Sequence, residues 1–446
     1  MAARPDTRVE PDWAVVTAEA VRLLSEYLRL DTVNPPGNEV RATDWLGRVL
    51  AAEGIPYRLY ARDPARPSLV ATLRRDGRGS GGGGGGALVL LNHTDVVPAE
   101  AVHWNLDPLS GVVKDGYIWG RGAMDMKGMG VMELMTFILH HRLRLPLRRD
   151  LTFMAVADEE AGGAFGIDFL DAEHPRLLDC DFVINEGGTG AAEVFGIRRP
   201  VFHVSVSEKG PLWLRLVTTG TPGHGSVPHD DSAIDRLLRA IARIQAWQRA
   251  PVLTPEVRAY FDRLHAAGLL PSPPTPEVLR ALAAEHPRID SLLTNSIAVT
   301  ALSAGVRPNV IPAQAEATLD VRLLAGYDPE RFIAELRDTI ADPLVRIERI
   351  FMSSTPVSPI DTPLFAAIER AVEACAPGAL TVPSVATGFT DSRVFRRRGI
   401  PAYGFIPLLL EPDDGGRIHG NDERVSLTSF ALGLRILHAT VRGVCG

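Results

Sequence analysis

Apolar positions in the opening segment recur at helical spacing: Val16, Ala20, Leu23, Leu24, Tyr27 and Leu28. That period predicts a helix over residues 13–31, ended by Asn34-Pro35-Pro36-Gly37. A second helix is expected over 42–53 and two short strands within 57–73. Then the pattern changes. Residues 87–91 form an uninterrupted apolar run, the mark of a strand buried on both faces, and it ends in Asn92-His93-Thr94-Asp95. Residues 151–157 repeat the pattern and end in Asp158-Glu159-Glu160; residues 182–184 do so again and end in Asn185-Glu186. Helical segments at 126–143 and 166–173 lie between them. Strands alternating with helices predict an α/β fold, a mostly parallel sheet flanked by helices. Such sheets bind ligands beyond the carboxyl ends of their strands, so three strands deliver His93, Glu160 and Glu186 to one edge.

Beyond residue 207 the character differs. A strand at 212–217 precedes a helix over 232–248, with Ile234, Leu237, Leu238, Ile241 and Ile244 expected on one face. The proline-rich stretch 251–287 is expected to carry two short helices. Residues 315–323 alternate strictly, with Ala315, Ala317, Leu319, Val321 and Leu323 on the buried side. Asp328-Pro329 reads as an N-cap with proline at the first helical position, opening a helix to about residue 340. This is a small α+β module inserted into the first domain. A helix over 364–375, a strand at 402–406 and a final helix over 426–441 then resume the α/β pattern. The resulting division is 1–207 and 355–446 for the catalytic domain and 208–354 for the insert.

Composition narrows the function. The 46% hydrophobic and 23% charged content is that of an ordinary globular protein, and a net charge of -7 argues against a nucleic-acid surface. Arg396-Arg397-Arg398 is the densest basic run and reads as a solvated helix end. Cys180, Cys375 and Cys445 lie far apart, which is neither a disulfide framework nor a thiolate metal site. The charged opening residues lack an apolar leader core, and no apolar run is long enough to span a bilayer. The expectation is a cytoplasmic protein with no membrane and no nucleic-acid partner. Gly81 to Gly86 could suggest a phosphate loop, but the Lys-Ser/Thr that should follow is absent, so a hairpin tip is expected.

Chemistry gathers around Trp119 to Gly128, which reads WGRGAMDMKG. Taken alone, Asp125 is an N-cap for the helix that follows it. Among strand-end acids and histidines it becomes a metal ligand. His93 and Asp95 stand two apart, and a carboxylate beside an imidazole fixes the tautomer of a metal-bound histidine. Glu159 and Glu160, on extended backbone, would point in opposite directions, one to a metal and one to a bound water. His93, Asp125, Glu160, Glu186 and one further histidine would hold two divalent cations through nitrogen and oxygen. That donor set favours zinc, with cobalt or manganese as alternatives. Glu159 is then the free carboxylate that accepts a proton and passes it to a leaving nitrogen.

The motifs LLNHTDVVP, GRGAMDMKG, ADEEAGG, NEGG, GHGSVP, NVIPAQAEATLDVR, GFTDSRVFRRRGIPAYGF and RIHGNDERV resemble the co-catalytic zinc metallopeptidases. That family includes aminoacylase-1, glutamate carboxypeptidase, acetylornithine deacetylase and succinyl-diaminopimelate desuccinylase. The likeness is strongest to its branch of carboxypeptidase S and N-acyl amino acid hydrolases. It implies His93 and Glu186 on one zinc, Glu160 and His419 on the other, Asp125 bridging, Glu159 as general base and Asp95 as the partner of His93. It also implies a cis peptide after Asp125. The insert corresponds to the family's lid, which often makes a homodimer. His224 matches a histidine that steadies the oxyanion, with His229 as a nearby rival. Asn309, Arg322 and Gly388 match positions near the substrate's carboxylate, although Arg322 is by pattern equally a partner of Asp320 or Glu316. No arginine stands around Phe351 to Thr355, where some glutamate-specific members carry one, so acidic side-chain specificity is not supported. The expected activity is hydrolysis of an amide in a small peptide or N-acyl amino acid, releasing a free amino acid. The rival from another class is a catalytically inactive metal- and peptide-binding protein.

Overall fold

The computed structural model describes residues 10–75 and 86–446. The opening residues 1–9 and the glycine run at 81–85, with the expectations attached to them, lie outside this range. The chain forms two compact units, one of Met1–Val206, Ser358–Ser384 and Thr390–Gly446, the other of Ser207–Val357 and Val385–Phe389.

The first unit is built on an eight-stranded sheet. Its strands are β1 (Tyr57–Tyr60), β2 (Ser68–Leu73), β3 (Ala87–His93), β6 (Asp150–Val156), β7 (Phe182–Val194), β8 (Ile197–Glu208), β15 (Leu380–Ala386) and β16 (Ala402–Leu410), in the order β1-β2-β6-β3-β7-β16-β8-β15. The centre, β6-β3-β7-β16, is parallel, and antiparallel strands flank it. The apolar runs read correctly as strands buried on both faces. Leu88 and Leu90 face one core while Val89 and Leu91 face another, and Phe153 and Met154 divide the same way. On the first face pack α1 (Trp13–Leu28), α2 (Val40–Ala52), α3 (Lys127–Arg142), α10 (Pro363–Cys375) and α12 (Leu427–Cys445); on the second lie α4 (Ile167–Glu173) and α11 (Ser392–Arg397). Every residue of α3 from Lys127 to His140 is buried, as expected of a helix that is apolar nearly all round. A small sheet of β4 (Val112–Lys114), β5 (Tyr117–Trp119) and β17 (Arg424–Ser426) pairs Arg424 with Trp119, which sets the loop before β17 beside the loop after β5.

The second unit carries an antiparallel sheet, β11 (Ser296–Ala304), β13 (Gln314–Leu323), β9 (Gly210–Thr219) and β14 (Val345–Met352), in that order. The strict alternation of β13 puts Ala315, Ala317, Leu319, Val321 and Leu323 into a core shared with α5 (Ala233–Ala246) and α9 (Pro329–Ile340). Asp328 caps α9 through a hydrogen bond from the Glu330 amide (3.0 Å). The two-stranded pair β10 (Gly223–His224) and β12 (Val310–Ile311) and the helices α6 (Pro255–Ala266), α7 (Pro276–Glu285) and α8 (Pro287–Leu293) complete it.

Two local expectations are corrected. Leu238 is exposed, because the buried stripe of α5 runs through Ala233, Leu237, Ala240, Ile241 and Ile244. The arginine run is not a solvated end. Arg396 is buried and donates to the backbone oxygens of Ser205 (3.1 Å) and Ala402 (2.8 Å), and Arg398 pairs with Asp171 and Asp179; only Arg397 is exposed. The proline-rich stretch carries two helices, α6 and α7, as expected, and a further one, α8, starts at its end.

Candidate active site

His93 ends β3 and is 2% exposed. Its Nδ1 lies 2.9 Å from the backbone oxygen of Asp95, which can only accept, so the proton sits on Nδ1. Nε2 then faces Asp125 Oδ1 at 3.1 Å and Glu186 Oε1 at 3.7 Å. Across the site, His419 Nε2 lies 3.0 Å from Asp125 Oδ2 and 3.3 Å from Glu160 Oε2. The ligand atoms of His93, Asp125 and Glu186 fall within 4.8 Å of one another, and so do those of Asp125, Glu160 and His419. Asp125 is common to both groups.

The peptide bond from Asp125 to Met126 is cis. The N-cap expectation for Asp125 fails: Met126 takes that position and no side chain caps the helix. The Asp125 carboxylate is instead turned entirely towards the two histidines. Glu159 and Glu160 also differ from expectation, since they lie in a 3-10 turn (Glu159–Ala161) rather than on extended backbone. Asp158, in left-handed conformation (φ 69°), makes the bend. Asp95 organises that turn. Its Oδ1 accepts from the Glu159 amide (3.1 Å), and its Oδ2 accepts from the Glu160 amide (3.2 Å) and Asn34 Nδ2 (2.8 Å). One buried carboxylate thus orients both the histidine and the turn that bears the acids.

Glu186 lies within β7, not at its end. The strand continues because Gly187 adopts φ 145° and Gly404 of β16 comes close: a Cβ on Gly404 would sit 2.4 Å from the Glu186 oxygen. Sequence reasoning missed Glu423. It is fully buried, pairs with Arg121 at 2.6 Å, and accepts from the amides of Met124 (2.7 Å), Asp125 (3.1 Å) and Gly122 (3.2 Å). It therefore ties the loop of His419 to the loop of Asp125. The only sequence signal was its place in RIHGNDERV, four residues after His419.

The electrostatics call for added positive charge. Burial, together with the Asp125 charge, pushes Glu186 up to about 7. Burial raises Glu160, and burial together with the Glu186 charge holds Glu159 well above the usual carboxylate range. Burial would lower His93, but Glu186, Asp125 and Asp95 outweigh it and lift the imidazole well above its ordinary value. Hydrogen bonds with Asp125 and Glu160 lift His419 to about 10. Glu160 Oε1 is buried with no hydrogen-bond partner among the described residues. Imidazole nitrogens and carboxylate oxygens that converge in two groups suit a bound divalent ion, and a nitrogen-and-oxygen donor set fits a borderline or hard one.

The other expected positions lie in the second unit. His224 is exposed, with Nδ1 2.7 Å from Ser226 Oγ, and the Asn309 backbone oxygen accepts from the Gly225 amide at 2.8 Å, so the two positions are neighbours. Nearby His229 has both ring nitrogens buried and without a hydrogen-bond partner among the described residues. Arg322 donates through Nε to Asp320 Oδ1 (2.8 Å) and through Nη2 to Oδ2 (3.1 Å), so the structural partnership with Asp320 is real. Gly388 is exposed, and nothing lies within 4 Å of where its Cβ would be.

An α/β sheet that gathers histidines and carboxylates at its strand ends, around one shared aspartate, defines a metal-dependent hydrolase. Residues 89–443 match the peptidase family M20/M25/M40, and the chain belongs to that family. It is 30% identical over 362 residues to a probable carboxypeptidase S-like 2 of Dictyostelium discoideum, covering 77% of this chain and 69% of that one. It is 32% identical over 368 residues to the N-fatty-acyl-amino acid synthase/hydrolase PM20D1 of Xenopus tropicalis, covering 77% and 70%. The crystal structure of an M20 family metallo-carboxypeptidase, Sso-CP2 from Sulfolobus solfataricus, superposes with a TM-score of 0.71 at 18% identity, over 95% of this chain and 98% of that one, and shares its fold.

Proposed function

We propose that the protein hydrolyses the amide of a small peptide or N-acyl amino acid and releases a free amino acid. The observation that carries this reading is the pair of ligand groups sharing Asp125. His93, Asp125 and Glu186 would hold one divalent ion and Asp125, Glu160 and His419 a second, with zinc favoured by the nitrogen-and-oxygen donor set and cobalt or manganese as alternatives. When bound, such a pair polarises a carbonyl and makes water nucleophilic near neutral pH.

The chain's own groups do the rest. Asp95 holds the His93 proton on Nδ1, so that Nε2 is free to ligate. Glu159, outside both ligand groups, accepts a proton from the attacking water and returns it to the leaving nitrogen as the carbon–nitrogen bond breaks. His224 steadies the oxyanion, and Asn309, Arg322 and Gly388 receive the substrate's carboxylate end. Support for the substrate class comes from the relatives, whose names describe carboxypeptidase and N-acyl amino acid chemistry. A homodimer through the second unit completes the reading, and sedimentation at several concentrations tests it.

Two measurements test the catalytic claim. Elemental analysis of the saturated protein is expected to count two ions per chain; a single ion overturns the paired site. Glu159→Gln is expected to lower kcat on dipeptides and N-acyl amino acids by about 10²–10⁴-fold with metal content unchanged. Full activity in that variant removes Glu159 from the mechanism.

A further inference from the structure

The second unit's sheet has one face in the core with α5 and α9 and another that carries side chains of mixed character. Towards one end of that other face Arg215 lies 3.8 Å from both Glu316 and Glu348. Towards the opposite end three aromatic side chains gather outside the unit's core. Trp213 of β9 pairs in register with Phe351 of β14, and their ring centroids are 5.1 Å apart. Phe389 closes the group, 6.4 Å from Trp213 and 6.1 Å from Phe351. All three rings are half-buried.

This cluster is tied to an arginine. Asp320, opposite Trp213 in register, accepts from Trp213 Nε1 at 3.0 Å and from Arg322 Nε at 2.8 Å through the same oxygen. The guanidinium lies over the Phe389 ring, 5.2 Å from its centroid. Asp320 occupies Nε and Nη2, while Nη1 is buried with no hydrogen-bond partner among the described residues. A desolvated guanidinium nitrogen without an acceptor is costly, so the arrangement has one donor left for an incoming anion. Two further cations lie nearby: Lys209 is committed to the Thr294 backbone oxygen (2.8 Å), Ser296 Oγ (3.0 Å) and Ser291 Oγ (3.4 Å), and Arg249 is near enough to Lys209 to act on its charge.

We propose that Trp213, Phe351 and Phe389 form the subsite for an apolar side chain, aromatic or branched aliphatic, on the amino acid whose carboxylate meets Arg322. The inference rests on the proposed hydrolysis of peptides or N-acyl amino acids and adds the identity of the released residue. Carboxylate and side chain share one carbon, so a carboxylate at Nη1 brings the side chain to the nearest surface, and that surface is aromatic. An acidic side chain there would meet the electron-rich faces of three rings. Phe351 is one of the three rings, so this position presents an apolar face and no charge.

The test is kcat/KM of the metal-loaded protein on N-acetyl derivatives of phenylalanine, leucine, glycine, lysine and glutamate, with inhibition by the free amino acids as a second readout. Phenylalanine and leucine substrates are expected to exceed glutamate by about 100-fold, within the range that hydrophobic pockets reach. Free phenylalanine, not glutamate, should inhibit. Phe351→Arg should narrow the phenylalanine-to-glutamate ratio at least tenfold. Trp213→Leu should lower the phenylalanine rate chiefly through KM, and it carries the same comparison if Phe351→Arg does not fold. Hydrolysis of the series with no apolar preference overturns the subsite and leaves the hydrolase reading intact. So does a preference unaltered in both variants. A metal-loaded protein that cleaves no member of the series overturns both readings.

Discussion

Glu423 is the residue whose loss should be felt furthest from its own position. Its carboxylate receives three amides of the 122–125 loop and the Arg121 guanidinium, so it holds Asp125 where His419 can meet it. Glu423→Gln keeps the shape and surrenders charge. It is expected to weaken metal retention by about 10–100-fold, read by competition with a chelating dye, with little change in fold. Glu423→Ala leaves Arg121 buried and unpaired and should cost about 3–5 kcal/mol in urea denaturation. Residues such as His93, Glu160 and Glu186 were legible because each stands at or just beyond an apolar run. Glu423 was not, because its importance lies in backbone amides about 300 positions away, which no local pattern encodes. His419 was legible only through likeness to a family, since a histidine in a polar loop carries no periodic signal.

At the scale of elements, long apolar runs translated directly into β3 and β6, because burial on both faces leaves no room for polar alternation, whereas the short run at 182–184 marked only the start of β7, which continues to Val194. Turns translated less well. The 3-10 turn of Glu159 and Glu160 depends on Asp158 in left-handed conformation and on Asp95 from another strand, and neither is visible in ADEEAGG. The buried Arg396 is a similar case: its acceptors are carbonyls of β8 and β16, so only the assembled sheet makes it interior. Near the site β7 and β16 approach each other closely at Gly404. Gly404→Ala would drive a methyl group into the Glu186 carbonyl and Gly187. The expected cost is about 1–3 kcal/mol in urea denaturation, with fewer ions retained per chain because Glu186 is displaced. A variant of unchanged stability and metal content would show that β16 can slide away at no cost.

Across the molecule, acid stability should be governed partly by a pair of buried histidines remote from the site. The rings of His140 of α3 and His438 of α12 lie 5.2 Å apart and tilted to each other, with Trp13 set edgewise 5.4 Å from His438. Burial pushes His140 down to about 4, against the bond its Nδ1 makes to the Thr136 oxygen. Burial, with the charges of His140 and Arg442, pushes His438 down to about 3. Both folded values lie below the unfolded value of about 6.5, so their contribution is intact above that pH and is lost as pH falls towards 4 and then 3. His438→Phe should reduce the pH dependence of unfolding free energy between pH 6 and 4 by about 1.4 kcal/mol per pH unit, measured by urea denaturation at each pH. An identical slope in wild type and variant would remove the pair from the acid response.

Arg121 and Glu423, the ion pair that joins the two loops of the site, stand 302 positions apart in the chain. At ordinary elongation rates of about 5–20 residues per second, the second partner follows the first from the ribosome by roughly 15–60 s. For most of that interval His93, Asp125 and Glu186 already exist in the growing chain, while the ligand group containing His419 does not. The order in which the two groups of candidate ligands become complete is therefore set by the position of one histidine, His419, 233 residues beyond Glu186.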